Sequence, residues 1–347
     1  MNGKILIYRR GSIGDAIVTI PALNYLRRRH HGAEIRILTN QPVMERAAPL
    51  ASTLENTVLC DGVFTLPPGG GGFGALRDTK ARIAAWGPDK VIYLSEPSRP
   101  VGLLREFLFF RSCGIRQCEG FPWGSTLRTY REKGDRLWES ESERLLRVVT
   151  VDETETPDWS YEFTPQDLSE ADKITGDWNG KSQFVALSVG AKLPDKDWGD
   201  KNWREVLARL SETSPKLGMM IIGAKEESAR SESLLANWPG PVLNLCGRTS
   251  PRVSSLVMRG ASYYLGHDSG PMHLAALAKV RCIAVFSARA KPGVWFPHGE
   301  GHDILYPWDN VVDVPTRTGL RTAGGSIQSI KPEDVLRACE RMLPCAA

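Results

Sequence analysis

Four groups of side chains in this sequence have the types and spacing for chemistry on an anionic substrate. Gly11, Ser12 and Gly14 lead into Asp15, so a carboxylate is presented from a turn whose glycines let backbone come close to a ligand. A carboxylate there serves as a proton acceptor or as a helix cap, and spacing leaves both open. In Asp268-Ser-Gly-Pro-Met-His273, Ser269 or Gly270 can cap a helix and Pro271 suits its first turn. The free N–H groups at such a helix head attract phosphate, with Asp268 and His273 flanking the spot; an ordinary strand-to-helix turn would also use both as local hydrogen-bonding residues. Lys192 and Lys196, in Gly190-Ala-Lys-Leu-Pro-Asp-Lys-Asp-Trp198, can neutralise phosphate charge. Glu227, or its neighbour Glu226, can hold ribose hydroxyls as an acid does in nucleotide-binding folds. Lys196, Glu227 and the 268–273 turn together are the inventory of a nucleotide-diphosphate site.

Positioning them requires strands that end at these turns. Lys4-Ile-Leu-Ile-Tyr8 reads as a strand and Ala16 to Arg29 as helix, either kinked at Pro21 or starting near Thr19. Strands follow at 34–39, within 58–66 and at 90–94, with helices at 79–86 and 101–110. Core packing accounts for the apolar 101–110 helix, and the arginines around it (Arg99, Arg105, Arg111) also suit docking near anionic lipid. The glycine-rich run 67–74 reads as a surface loop, a connector or a flap over an acceptor. An acidic stretch from Glu139 to Asp177, holding a helix at 141–149 and a strand near Tyr161 to Phe163, separates this series from a second one. There strands are expected at 184–189, 217–222, 242–245, 263–265, 282–286 and 304–306, with helices at 203–211, 226–237 and 252–260, after Pro271, and from Pro332. The expected fold class is α/β, two doubly wound Rossmann-like domains facing each other across a cleft, 1–170 and 171–347, with the last helix free to pack back on the first.

Composition narrows the class. At 347 residues the chain exceeds one ordinary core, and 41% hydrophobic with 24% charged residues is a soluble composition. With neither an apolar leader nor a run of membrane-spanning length, a cytoplasmic protein is expected. Its 7 cysteines are scattered without a CxxC pair, as in reduced proteins. Residues 1–136 carry 20 basic and 12 acidic side chains, whereas 137–177 carry 3 and 12. A basic first domain fits an acidic partner or simply a solvated surface, and the lack of interleaved aromatics argues against nucleic acid.

Other motifs are weaker. The Gly11 turn lacks GxGxxG spacing and the 67–74 run lacks GK[ST], which disfavours a nicotinamide cofactor and a P-loop. Asp195-Lys-Asp197 is a DxD that could share a divalent cation with a diphosphate. His298-Gly-Glu-Gly-His302 has paired histidines, but its glycines oppose the helix a zinc site needs, and a solvent-facing loop fits better. No metal and no cofactor are therefore expected.

Ile5-Leu-Ile-Tyr-Arg-Arg-Gly-Ser-Ile-Gly-Asp-Ala-Ile-Val-Thr-Ile-Pro-Ala-Leu23, Asp268-Ser-Gly-Pro-Met-His-Leu-Ala-Ala276 and Lys196-Asp-Trp198 followed by Trp203 resemble glycosyltransferase family 9, the heptosyltransferases of lipopolysaccharide assembly. The resemblance spans most of the chain. It implies a GT-B fold, acceptor in the first domain, sugar nucleotide (ADP-heptose) in the second, and metal-independent inversion at the anomeric carbon. Asp15 then matches the general base, Lys196 the residue that offsets leaving-group charge, and Lys192, Glu227, Asp268, Ser269, Gly270 and His273 the donor side. The implied acceptor is a saccharide such as lipopolysaccharide core, lipid-linked and acidic, which would bring the protein to the inner face of the cytoplasmic membrane. A sugar-nucleotide epimerase, or a binding protein without turnover, would use much the same residues.

Overall fold

The computed structural model describes residues 3–41, 48–67, 73–150, 155–180, 183–310, 313–315, 321–323 and 326–343. It divides into two compact units, residues 1–164 with 315–321, and residues 165–314 with 322–347. Each is built around its own parallel sheet.

In the first unit, β1 (Lys4–Tyr8), β2 (Glu34–Asn40), β3 (Gly62–Leu66), β4 (Lys90–Tyr93) and β5 (Gln117–Glu119) lie in the order β3-β2-β1-β4-β5. β1 reads as a nearly unbroken apolar run because both its faces are covered, as a central parallel strand requires. The helices between are α1 (Ile13–Arg29), α2 (Ala51–Leu54), α3 (Phe73–Trp86), α4 (Pro100–Ser112) and α5 (Ser125–Arg128). A short hairpin of β6 (Glu132–Gly134) and β7 (Leu137–Trp138) leads into α6 (Glu141–Val149), which packs along α1. Leu6, Tyr8, Leu38, Phe64, Ile83, Val91, Tyr93, Leu103 and Phe110 form one core cluster of this unit.

The second unit begins with α7 (Pro165–Thr175) and continues through β8 (Phe184–Ser188), α8 (Asp200–Thr213), β9 (Gly218–Ile221), α9 (Ser228–Leu234), β10 (Val242–Asn244), α10 (Pro251–Val257), β11 (Tyr263–His267), α11 (Gly270–Leu277), β12 (Cys282–Val285) and β13 (Asp303–Leu305). Its sheet runs β10-β9-β8-β11-β12-β13. The terminal helix α12 (Pro332–Met342) packs on α8 within this unit, and its Val335, Leu336, Cys339 and Met342 join the same core as Val185, Leu187 and Trp203.

Three sequence expectations change. The first helix starts earlier, at Ile13, and runs through Pro21, with Ser12 in the N-cap position and its N–H held by Asp15 Oδ2. Residues 161–163 form no strand; Tyr161 instead stacks edge-on against Phe163 and donates its hydroxyl to the Thr53 carbonyl. The 226–237 helix resolves into a 3-10 turn, Lys225–Glu227, followed by the short α9. The glycine-rich stretch at 67–74 lies largely outside the described residues.

Candidate active site

In each unit the strand order reverses beside the first strand, between β1 and β4 and between β8 and β11. Ligands of open α/β sheets bind at the carboxyl ends of the strands flanking such a reversal. Both sets of candidate residues fall there.

In the first unit, the loops after β1 and β4 are tied together by the Arg10 N–H donating to Ser95 Oγ at 2.8 Å. Gly11 turns at φ +142° and donates its N–H to Asn40 Oδ1. Ser12 caps α1, Gly14 follows inside the helix, and Asp15 turns back so that its Oδ2 accepts the Ser12 N–H at 2.9 Å. The capping role open in the sequence is therefore real, and only one carboxylate oxygen performs it. The other, Oδ1, accepts from Arg9 Nη2 at 3.1 Å, and the Asp15 side chain keeps 21% of its surface in solvent.

Arg9 is fully buried and its other nitrogen, Nη1, donates to the Leu94 carbonyl and to Glu141 Oε1, both at 2.7 Å. Glu141 also accepts from Arg144 Nε at 2.7 Å, from Arg144 Nη2 at 2.8 Å and from the Tyr130 hydroxyl at 2.9 Å. Burial alone would raise the Glu141 carboxyl, but Arg144 and then Arg9 outweigh it and hold the group down at about 2. The result is a dry, charged scaffold with Asp15 as its solvent-facing end. Glu96, on the loop after β4, is raised above the ordinary carboxylate range by the surrounding protein and by the charges of Glu141 and Asp15. Glu96 is itself open to solvent, so the two neighbouring carboxylates are the firmer of these causes.

In the second unit, Lys196 Nζ donates to Asp268 Oδ2 at 2.6 Å. Their loops follow β8 and β11, so an ammonium stands beside the head of α11, which begins at Gly270 with Ser269 in the N-cap position. The Lys196 loop is anchored by its neighbour: Trp198 is fully buried, lies edge-on to Trp203 at 5.0 Å, and donates Nε1–H to the Ile330 carbonyl. The Trp198 backbone N–H donates to His267 Nε2 at 3.0 Å, which leaves the proton on Nδ1 to donate to the Gly190 carbonyl, also at 3.0 Å. Burial pushes His267 down to about 4, so it stays neutral and serves as a fixed bracket. His273, buried in α11 with Trp295 edge-on to it, is likewise lowered to about 4 by burial.

Glu227 lies against the end of β8. A Cβ on Gly190 would fall 1.9 Å from its Oε1, so the carboxylate occupies the space that this glycine leaves open. Its Oε2 accepts the Ala224 N–H at 2.8 Å, while Glu226 is exposed. Lys192 is exposed on the loop that carries Lys196.

Both carboxylates of the DxD are engaged by arginines. Asp197 takes a two-pronged pair from Arg230 at 2.7 and 2.9 Å, and Asp195 pairs with Arg289. His302 uses both ring nitrogens on backbone partners, the Cys282 N–H and the His298 carbonyl; the stretch is a loop exposed at Gly299 to Gly301, with His298 half-buried. Among the described residues no group of three His, Cys, Asp or Glu side chains is arranged to hold a metal.

Sequence reasoning missed Arg9, Glu141, Arg144, Glu96 and His267. Glu141 sat in a stretch read as a separator, where the Glu141/Arg144 pair at helical spacing was the available signal. His267 had no signal beyond standing next to Asp268.

Residues 103–306 match the family model for glycosyltransferase family 9 (heptosyltransferase). Lipopolysaccharide heptosyltransferase 3 of Escherichia coli (strain K12) is 26% identical over 167 residues, 47% of this chain and 47% of that protein, so the match spans about half the length of this relative. A solved family 9 glycosyltransferase of Veillonella parvula DSM 2008 superposes with a TM-score of 0.73 at 16% identity, covering 98% of this chain and 97% of the other. The E. coli ADP-heptose lps heptosyltransferase II gives 0.67 at 15% identity, with 98% of each chain covered. The chain shares their GT-B fold, an α/β architecture of two parallel sheets.

Proposed function

The chain belongs to glycosyltransferase family 9, and from that premise we propose that it is an inverting, metal-independent transferase that moves heptose from ADP-heptose to a hydroxyl of a lipopolysaccharide-type saccharide. The observation that carries the reading is the Lys196 ammonium held 2.6 Å from Asp268 at the head of α11. A cation and a helix head together favour a diphosphate, in the ground state and more so as it departs.

On this reading the first unit holds the acceptor and the second the sugar nucleotide. An acceptor hydroxyl oxygen attacks the anomeric carbon from the face opposite the diphosphate, forming the new C–O bond as the bond to the phosphate oxygen breaks. The hydroxyl proton passes to Asp15, whose outward edge is open to solvent. Arg9 stays buried beneath that carboxylate and fixes its orientation. On the donor side Lys196 and the N–H groups at Ser269 and Gly270 take up charge on the leaving diphosphate, and Glu227 holds the ribose. Asp268 orients Lys196 and holds sugar hydroxyls of the donor. The separate engagement of Asp195 and Asp197 by two arginines supports chemistry without a divalent cation.

A thermal-shift screen of sugar nucleotides tests the donor. At a hundred times its dissociation constant the right donor stabilises the protein by about 2.7 kcal/mol. ADP-heptose should lead the ranking, and equal shifts with uridine and adenosine sugars would remove the adenine assignment.

A further inference from the structure

Helix α4 (Pro100–Ser112) has an inner and an outer face. Leu103, Glu106 and Phe110 are buried, whereas Val101 at 81%, Leu104 at 49% and Leu108 at 56% exposure lie outward. Their spacing of three, four and seven puts them on one stripe, and Arg105 and Arg111 stand exposed on the same side. Arg99, exposed, begins the helix.

The apolar surface continues beyond the helix. Phe107 is half-buried next to Leu104 and Leu108, and Trp123 lies edge-on to it at 5.6 Å. Trp123 also stacks on Phe121 at 5.9 Å while remaining 53% exposed. A contiguous outward patch of three aliphatic residues and a tryptophan is uncommon on a surface that meets only water.

The charges on the helix's outward side are basic, Arg105 and Arg111. Glu106 points inward to Tyr8, Tyr93 and Ser98, and the exposed Glu119 is neutralised by Lys90. Arg99, Arg105 and Arg111 stand exposed at the margin of the apolar stripe. A flat apolar helix face with arginines at its margin and a tryptophan at its edge matches the interface of an anionic bilayer, where acyl chains meet negative headgroups and indole rings settle at the boundary.

We propose that the α4 face, Val101, Leu104, Leu108 and Trp123 with Arg99, Arg105 and Arg111, docks the protein on an anionic phospholipid surface. The arginines draw the protein to the headgroups, and the aliphatic stripe sinks into the boundary layer. The inference is independent of the transferase reaction, since binding is read without turnover.

The test is co-sedimentation of the full chain with vesicles of phosphatidylcholine alone and of phosphatidylcholine with phosphatidylglycerol. Binding should require phosphatidylglycerol and weaken as salt rises. Arg105→Gln should weaken it about fivefold, and Leu104→Ser with Leu108→Ser about tenfold or more. All three positions are exposed, and an unchanged melting temperature confirms that the variants fold. Equal binding to both vesicle types, or variants that bind like the parent, would overturn the proposal. So would a concentration-dependent dimer that the double substitution dissolves, which would make this face a contact between two copies of the chain.

Discussion

A Cβ placed on Gly11 would stand 2.1 Å from Cγ of Asp15, so the glycine turn and the carboxylate occupy adjoining space by design of the backbone. Gly11 also adopts φ +142°, where side chains strain. Gly11→Ala should displace Asp15 while leaving most of the sheet intact. A loss of turnover on the order of 10²-fold is expected, the cost of a misplacement near 1 Å. An alanine variant with parental kcat would show that the close packing of these residues has no bearing on reaction.

Glu141 is the only acid that bridges two buried arginines among the described ion pairs, Arg9 and Arg144. Removing its charge leaves both cations in a dry site, which costs roughly 3–5 kcal/mol when one partner of a buried pair is lost. Glu141→Gln should therefore lower the denaturant midpoint strongly, with residual activity falling because Arg9 no longer holds Asp15. A midpoint within experimental error of the parent would refute the scaffold role.

His267 and His273 are each held at about 4 by burial, below the ordinary 6.5. The unfolded chain then binds more protons than the folded one between those values. Stability from this source is intact above pH 6.5 and is lost as pH falls toward 4, by up to roughly 1.4 kcal/mol per pH unit for each histidine. Unfolding measured between about pH 7 and pH 5 should show this slope, and His273→Gln should make it shallower. An unchanged slope in that variant would place the proton uptake elsewhere.

Lys196 is part-exposed and pairs with Asp268, so its replacement should spare the fold while harming the reaction. Lys196→Ala is expected to lower kcat by about 10²–10³-fold, the range for losing one charge-stabilising group, with Lys196→Arg in between. If KM rose with kcat unchanged, Lys196 would serve donor binding alone.

Local signals in the sequence located the strands and the turns that end them. Lys4–Tyr8 and Tyr263–His267 are apolar runs that stop at glycine- and serine-containing turns, and the Asp15 and Asp268 turns stand where that pattern placed them. What stayed hidden depends on partners far apart in the chain. Arg9 meets Glu141 across 132 residues, and His267 fixes Trp198 across 69, so no local pattern could pair them. The expected strand at Tyr161–Phe163 failed for a related reason: these aromatic residues favour strands by composition, yet Tyr161 is bound to the Thr53 carbonyl, outside either sheet.

The most direct test of Asp15 as the proton acceptor is turnover of the Asp15→Asn variant, followed as ADP released from ADP-heptose in the presence of a saccharide acceptor. Asparagine retains an oxygen for the Ser12 N–H but turns an amide N–H toward Arg9, so it loses the charge, the basicity and the Arg9 contact. The account predicts a fall in kcat of about 10²–10⁴-fold in a variant that still unfolds in one cooperative step, its melting temperature lowered by the lost Arg9 contact. Near-parental turnover in that variant would contradict it.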